Sequence, residues 1–171
     1  MDPVFASTTQ LAAAIRGGSL SAAEALDAHL AQIERHNPAL NAIVTLDVEQ
    51  AHERARAADE ALARGDVWGP LHGVPFTLKD AHATAGMRTT TGFPPLDHIP
   101  HEDSTVAARL KAAGGILIGK TNVYQLLGDP AQTTNPIFGR TNNPWNIERT
   151  PGGSSGGAAA AVASIKLHGR K

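Results

Sequence analysis

The run from Thr150 to Ala163, TPGGSSGGAAAAVA, constrains the fold more than any other part of the chain. Four glycines flank two serines, and alanines follow at once. Glycine adopts backbone angles closed to other residues and admits close approach to the main chain, whereas alanine is the strongest helix former. The pattern predicts a tight loop delivered straight onto a helix N-terminus. Hydroxyls and unpaired amides would then share one small space, suited to an anion or a developing oxyanion. A flexible Gly/Ser linker is the plainer alternative, but linkers do not usually run directly into an apolar alanine helix.

The wider composition narrows the class. At 171 residues the chain can form one domain, and a fold of that size buries roughly 70% of the surface its unfolded chain exposes. A net charge of −1 with mixed signs gives no electrostatic case for a nucleic-acid or membrane partner. The absence of cysteine excludes disulfide and thiolate chemistry and fits a reducing compartment. The N-terminus, MDPVFASTT, carries an acid and no basic segment, and no apolar run approaches a membrane span. The expectation is a soluble, cytoplasmic protein.

Taken in order, residues 1–65 read as a helical scaffold. Ser21-Ala22-Ala23-Glu24 has capping-box spacing, and Leu26, Leu30 and Ile33 follow at helical intervals until Asn37-Pro38, where the pattern is expected to stop. Leu40 to Leu46 reads as a strand, and Asp47 to Arg64 as a helix closed by Gly65. His29, His36 and His52 lie among charged neighbours, and solvated helix faces explain them better than metal ligation. After Gly69-Pro70-Leu71-His72-Gly73, the segment Val74 to Asp80 is extended, with Thr77 and Lys79 on one face. Two readings of Lys79 stand: the strand's exit to solvent, or a lysine in a dry site whose lowered pKa makes it a proton acceptor.

Ala81 to His101 is loop-like. The group Asp97, His98, His101, Glu102 and Asp103 reads as polar surface rather than a metal site, because prolines interrupt it and no helical i, i+4 pairing organises it. Ser104 to Ala113 predicts a helix with Val106 and Leu110 inward, Gly114-Gly115 its end, and Ile116-Leu117-Ile118 a buried strand closed by Lys120-Thr121-Asn122. Such alternation argues for an α/β sheet. Gln132 to Thr150 should be an ordered loop leading into the glycine stretch.

Two templates for that stretch fail. A nucleotide-binding loop needs Lys-Ser or Lys-Thr after its last glycine, whereas Ala158-Ala159 follow Gly157. Gly152-Gly153-Ser154-Ser155-Gly156 matches the letters of a nucleophile elbow, yet Pro151 and an Asn-rich loop precede it and no acid follows Ser154. A third template fits. GPLHGVPFTLKD at Gly69 to Asp80, GKTN at Gly119 to Asn122, GRTNNPW at Gly139 to Trp145 and PGGSSGG at Pro151 to Gly157 together resemble the amidase signature family, in its order and at its kind of spacing.

The resemblance implies a single α/β/α domain on a large mixed sheet, incomplete in this chain, and an amide-bond hydrolase working through a serine, cis-serine and lysine triad without metal or cofactor. Lys79 takes the lysine position, Ser154 the bridging cis-serine, and Ser155 a supporting hydroxyl. Gly152, Gly153, Gly156 and Gly157 form the surrounding loop. Residues 66–163 then hold the lysine and Gly-Ser motifs, and 164–171 form a short basic tail that departs from the family, as does Ala158, where the family often has serine. The family nucleophile belongs to a later Gly-Gly-Ser segment preceded by an aspartate. That segment does not occur among these residues, so the chain as written is expected to lack turnover.

The implied partner is a small-molecule amide, with assembly of like copies left open. Within the family, a free-standing amidase competes with the A subunit of a tRNA-dependent amidotransferase, which alone would bring in a nucleic acid. A truncated, non-catalytic remnant is the reading from outside enzymology. Acting as a base near neutrality would ask Lys79 for a pKa depression of roughly 3 units, about 4 kcal/mol, which only a buried, structured site supplies.

Overall fold

The computed structural model describes residues 1–168. Its helices are α1 (Thr8–Arg16), α2 (Ala22–Leu40), α3 (Val48–Ala63), α4 (Thr105–Ala112) and α5 (Gly156–His168). Its strands are β1 (Ile43–Leu46), β2 (Pro75–Lys79), β3 (Ile116–Thr121) and the two-residue pair β4 (Thr134–Asn135) and β5 (Gly139–Arg140).

Local chemistry sets the helix starts. Ser21 accepts from the Glu24 amide while the Glu24 carboxylate accepts from the Ser21 amide, closing the expected capping box, and Ser7 with Gln10 does the same for α1. Asp59 on α3 adds a tertiary cap, its two carboxylate oxygens taking the Ala22 and Ala23 amides at 2.7 and 3.1 Å. Asp47 caps α3 through the Gln50 amide.

Two expectations need correction. The pattern does not stop at Asn37-Pro38: α2 runs to Leu40, which therefore belongs to the helix and not to the strand. In a last turn proline forfeits a single backbone bond, and the true stop is Asn41, left-handed at φ 50°. In α4, Val106 is 42% exposed, while Ala107 is buried and Leu110 half-buried. The inward stripe is therefore Ala107 and Leu110, three residues apart on one helical face.

The main sheet has strand order β1-β3-β2 and is mixed, β3 pairing antiparallel with β1 and parallel with β2. The crossover from β2 to β3 passes through α4, the connection a parallel pair demands. At Gly119 the strands come so close that a Cβ would lie 2.0 Å from the Thr45 carbonyl oxygen. The core joins Leu11 and Ile15 of α1, Ala25 and Leu26 of α2, and Ala51, Ala55 and Ala58 of α3 to Val74, Ile116 and Ile118. Alanine along α3 lets it pack closely against α2 and β3, and the C-terminal ends of β2 and β3 are thereby held against one scaffold.

Candidate active site

β2 ends at Lys79, and strand alternation sends Thr77 and Lys79 to one face and Leu78 and Asp80 to the other. On the first face Lys79 meets the loop that opens α5. Its Nζ donates a 2.8 Å hydrogen bond to Ser154 Oγ, and the Gly153–Ser154 peptide is cis. Lys79 is half-buried, and desolvation holds its ammonium below the ordinary lysine pKa.

Neighbouring loops hold the Gly-Ser segment in place. The Gly153 amide donates to the Pro130 carbonyl at 2.8 Å and the Gly152 amide to Thr150 Oγ1 at 3.0 Å. Thr133 Oγ1 donates to the Gly152 carbonyl and accepts from the Gly156 amide, both at 2.9 Å. The Gly157 amide reaches the Asn122 carbonyl and the Tyr124 amide the Ser154 carbonyl, each at 3.3 Å. The amides of Gly152, Gly153, Gly156 and Gly157 are thus spent on the scaffold, so the expectation of unpaired glycine amides facing an anion is corrected. They fix the serine instead of binding a ligand. Ser155 is exposed at the start of α5, where its carbonyl accepts from the Ala159 amide.

Asn122 joins the two sides of this arrangement. Its fully buried side chain donates to Thr141 Oγ1 and the Gly139 carbonyl and accepts from the Asn135 side chain and the Val123 amide. The asparagines of GKTN and of the 132–143 loop therefore act as backbone substitutes that lock loops together.

Two buried ionisable residues were not singled out by sequence reasoning. Lys120, next to the strand's apolar residues, is completely buried and donates to the His82 carbonyl at 2.6 Å and Thr89 Oγ1 at 2.8 Å. Desolvation lowers its pKa to about 8, opposed by the charge of Asp80. Asp80, also fully buried, accepts from the Thr90 amide and hydroxyl, and burial pushes its carboxyl up. The only sequence signal was lysine in register with a buried run, a pattern that also describes a strand exit.

The histidine and carboxylate loop is arranged otherwise than a metal site. Asp97 pairs with Arg88, Asp103 accepts Lys111 and the Ala85 amide, and His98 Nδ1 lies 2.7 Å from the Leu96 carbonyl. Among the described residues no group of three or more His, Asp or Glu side chains is placed to hold a metal, and no helix is long and apolar enough to cross a membrane. His72 is buried inside the scaffold, with Nε2 3.1 Å from the Ala58 carbonyl and Nδ1 accepting the Trp68 amide. A groove of about 700 Å³ opens between the N-terminal turn, α2, β2 and α5, with Phe5, Ile33, Phe76 and Val162 on its walls. Neither Lys79 nor Ser154 lines it, so the groove is separate from the lysine and serine pair.

Comparison with known proteins identifies the family and the fold. The family model described as Amidase matches residues 24–167. The A subunit of glutamyl-tRNA(Gln) amidotransferase from Synechococcus sp. (strain CC9605) is 45% identical over 152 residues, 88% of this chain and 30% of the relative. Its same-named counterpart from Acidothermus cellulolyticus is 43% identical over 166 residues, 96% of this chain and 33% of the relative. The chain thus spans about a third of the length of these relatives. Among solved structures, 6-aminohexanoate cyclic dimer hydrolase superposes with a TM-score of 0.82 at 33% identity, over 95% of this chain and 32% of that one. Fatty acid amide hydrolase superposes at 0.90 with 27% identity, over 95% and 29%. The chain belongs to the amidase signature family.

Proposed function

We propose that residues 1–171 are the N-terminal portion of a single amidase domain and carry two members of a serine, cis-serine and lysine triad that cleaves a carbon–nitrogen amide bond. The observation that carries this reading is the 2.8 Å bond between Lys79 Nζ and Ser154 Oγ, made by a desolvated lysine. A serine hydroxyl is a weak nucleophile until a base removes its proton. In the proposed relay, neutral Lys79 takes the Ser154 hydroxyl proton while Ser154 takes that of the nucleophilic serine, whose oxygen bonds to the amide carbon. The protonated lysine then returns a proton along the same path to the amine as the carbon–nitrogen bond breaks, and a water, deprotonated through the same relay, attacks the acyl-serine to release the acid and restore the serine hydroxyl. Ser155 supports the loop, and no metal or cofactor enters.

The nucleophile and the oxyanion donors are assigned to a second, later Gly-Gly-Ser segment, preceded by an aspartate, that these residues do not contain. Lys79 and Ser154 move protons, and the covalent step needs the third serine, so the 171-residue polypeptide alone is proposed to be without turnover. Loss of one oxyanion donor already costs roughly 100- to 1000-fold.

A second reading, the A subunit of a tRNA-dependent amidotransferase releasing ammonia from glutamine, is favoured by the names of the relatives at 42–46% identity. One experiment separates the readings. The chain is fused to the remaining two-thirds of a relative and assayed on aryl and alkyl amides and on glutamine, beside the unfused chain and Lys79→Ala and Ser154→Ala variants. Turnover in the fusion that both substitutions abolish supports the triad, and preference for glutamine over simple amides favours the second reading. Turnover by the unfused chain that disappears in Lys79→Ala would overturn the division of roles and make a serine of this loop the nucleophile.

A further inference from the structure

On the face of β2 and β3 opposite the Lys79–Ser154 bond lies a closed polar cluster that the proposed relay does not use. Asp80 directly follows Lys79, and Leu78 pairs with Lys120 across the strands. Asp80 and Lys120 are both fully buried, and each acts on the other's charge. Around them stand Arg88 toward Asp80 and Lys111 and Asp103 toward Lys120, with the His82 carbonyl as an acceptor. One carboxylate oxygen of Asp80, Oδ1, is buried without a hydrogen-bond partner among the described residues. Burying such charges is a poor way to gain stability. Their placement instead tracks both partners of the Lys79–Ser154 bond.

The first partner is reached through the chain that leaves β2. Asp80 holds Thr90 by its side chain and Thr91 by its carbonyl, which accepts the Thr91 amide at 2.8 Å. Lys120 holds the same segment at its His82 and Thr89 ends. The turn that begins one residue beyond Lys79 is thereby pinned to the end of β3. The second partner is reached from the far end of that turn. The Thr91 carbonyl accepts the Leu126 amide at 3.0 Å, and the Tyr124 amide, two residues earlier, bonds the Ser154 carbonyl.

We infer that Asp80 and Lys120 are positioning residues, a buried pair that clamps residues 81–91 and so sets both the depth at which Lys79 Nζ sits and the loop that presents Ser154. The inference rests on the reading of Lys79 as the proton acceptor, and it assigns the tuning of that acceptor to the opposite face of the sheet.

The test reads Lys79 itself, by ¹³C NMR titration of the full chain labelled at lysine Cε, with the resonance assigned by its loss in Lys79→Arg. Asp80→Ala removes an anion, which through space alone would lower the Lys79 midpoint. Release of the clamp admits water to Nζ and raises it, so the two effects differ in sign. The expected result is an upward shift of about half a pH unit or more in Asp80→Ala and no upward shift in Asp80→Asn, which loses the same anion but keeps an acceptor for Thr90. A zero or downward shift in Asp80→Ala, or equal shifts in the two variants, overturns the inference. Should Asp80→Ala not fold, Thr90→Val removes the same tie more gently and must also shift the midpoint upward. Because the readout is a titration, it separates from the triad: turnover surviving Lys79→Ala in the fusion would reject the base assignment whatever Asp80→Ala does to the midpoint.

Discussion

Gly153 sits so tightly against the 129–132 loop that a Cβ on it would lie 2.0 Å from the Gln132 carbonyl oxygen and 2.5 Å from that of Asp129. Both obstacles are backbone and cannot rotate away. Gly153→Ala must push apart the loop pair that holds Ser154, and overpacking of this kind costs about 1–3 kcal/mol, with a rigid backbone neighbour placing it at the upper end. Gly86→Ala is the control. It has open space around the added methyl but a φ of +76°, so about 1 kcal/mol of backbone strain is expected. Urea denaturation should rank Gly153→Ala as clearly the more damaging, and equal midpoints would show that the loop yields.

Ser154→Ala is expected to separate fold from chemistry. Ser154 and Lys79 are each only half-buried, so a lysine without its partner can turn to water, and the stability loss should stay within about 1.5 kcal/mol. In the completed enzyme the proton relay would be cut, a loss of roughly 100- to 10,000-fold in kcat with KM little changed. A rise in KM at unchanged kcat would assign Ser154 to substrate binding.

The scaffold was largely legible because its signals are local. Capping serines, Gly-Gly punctuation and a β-branched run each act within a few residues, and the helices α2, α3 and α4 lie near their expected positions. Where the sequence misleads, the deciding contact lies outside the local pattern. Pro38 was tolerated because Asn37, not Pro38, organises the helix exit through residues up to six positions on. Val106 faces outward because Ala107 fits against the scaffold. The glycine amides are occupied by Thr133, Asn122 and Pro130, which no local pattern connects to Gly153. Ordered motifs single out Lys79 and Ser154 as candidates, and the structure brings the two into contact, whereas Lys120 reads only as the close of a strand, since a single lysine at the end of an apolar run does not reveal what closes over it.

Asn37 is predicted to be a stability hot spot. Its Oδ1 takes the Ala42 and Ile43 amides at 2.9 and 2.8 Å, and its Nδ2 donates to the Ile43 carbonyl at 2.8 Å. Asn37→Ala strands three backbone groups at the junction of α2 and β1, and the expected cost is about 2–4 kcal/mol. Asn37→Asp keeps the acceptor and should cost less. Thermal unfolding of the three proteins checks the order, and an alanine variant as stable as wild type would mean that water replaces the side chain fully.

The buried lysine should leave a signature in alkaline pH. Lys120 has its pKa depressed from the ordinary 10.5 to about 8 in the folded chain. A depressed folded pKa makes the contribution to stability fully present above the unfolded value and lost as pH falls through the folded value. From pH 8 toward 10.5 the folded chain releases a proton that the unfolded chain still holds, so stability should rise by up to about 3 kcal/mol from this site. Lys79, lowered by desolvation, adds in the same direction. Asp80 is shifted the other way: its raised carboxyl contributes stability that is fully present below the unfolded carboxylate pKa and lost as pH rises through the folded one, so it opposes the lysines. The reference is Asp80→Asn/Lys120→Met, in which neither member of the pair titrates. Urea unfolding at pH 7, 8, 9 and 10 should give a wild-type curve that climbs relative to this variant, steepest between pH 8 and 10. A constant difference across that range would mean that Lys120 keeps its proton in the folded chain, with Asp80 offsetting the cost of burying it.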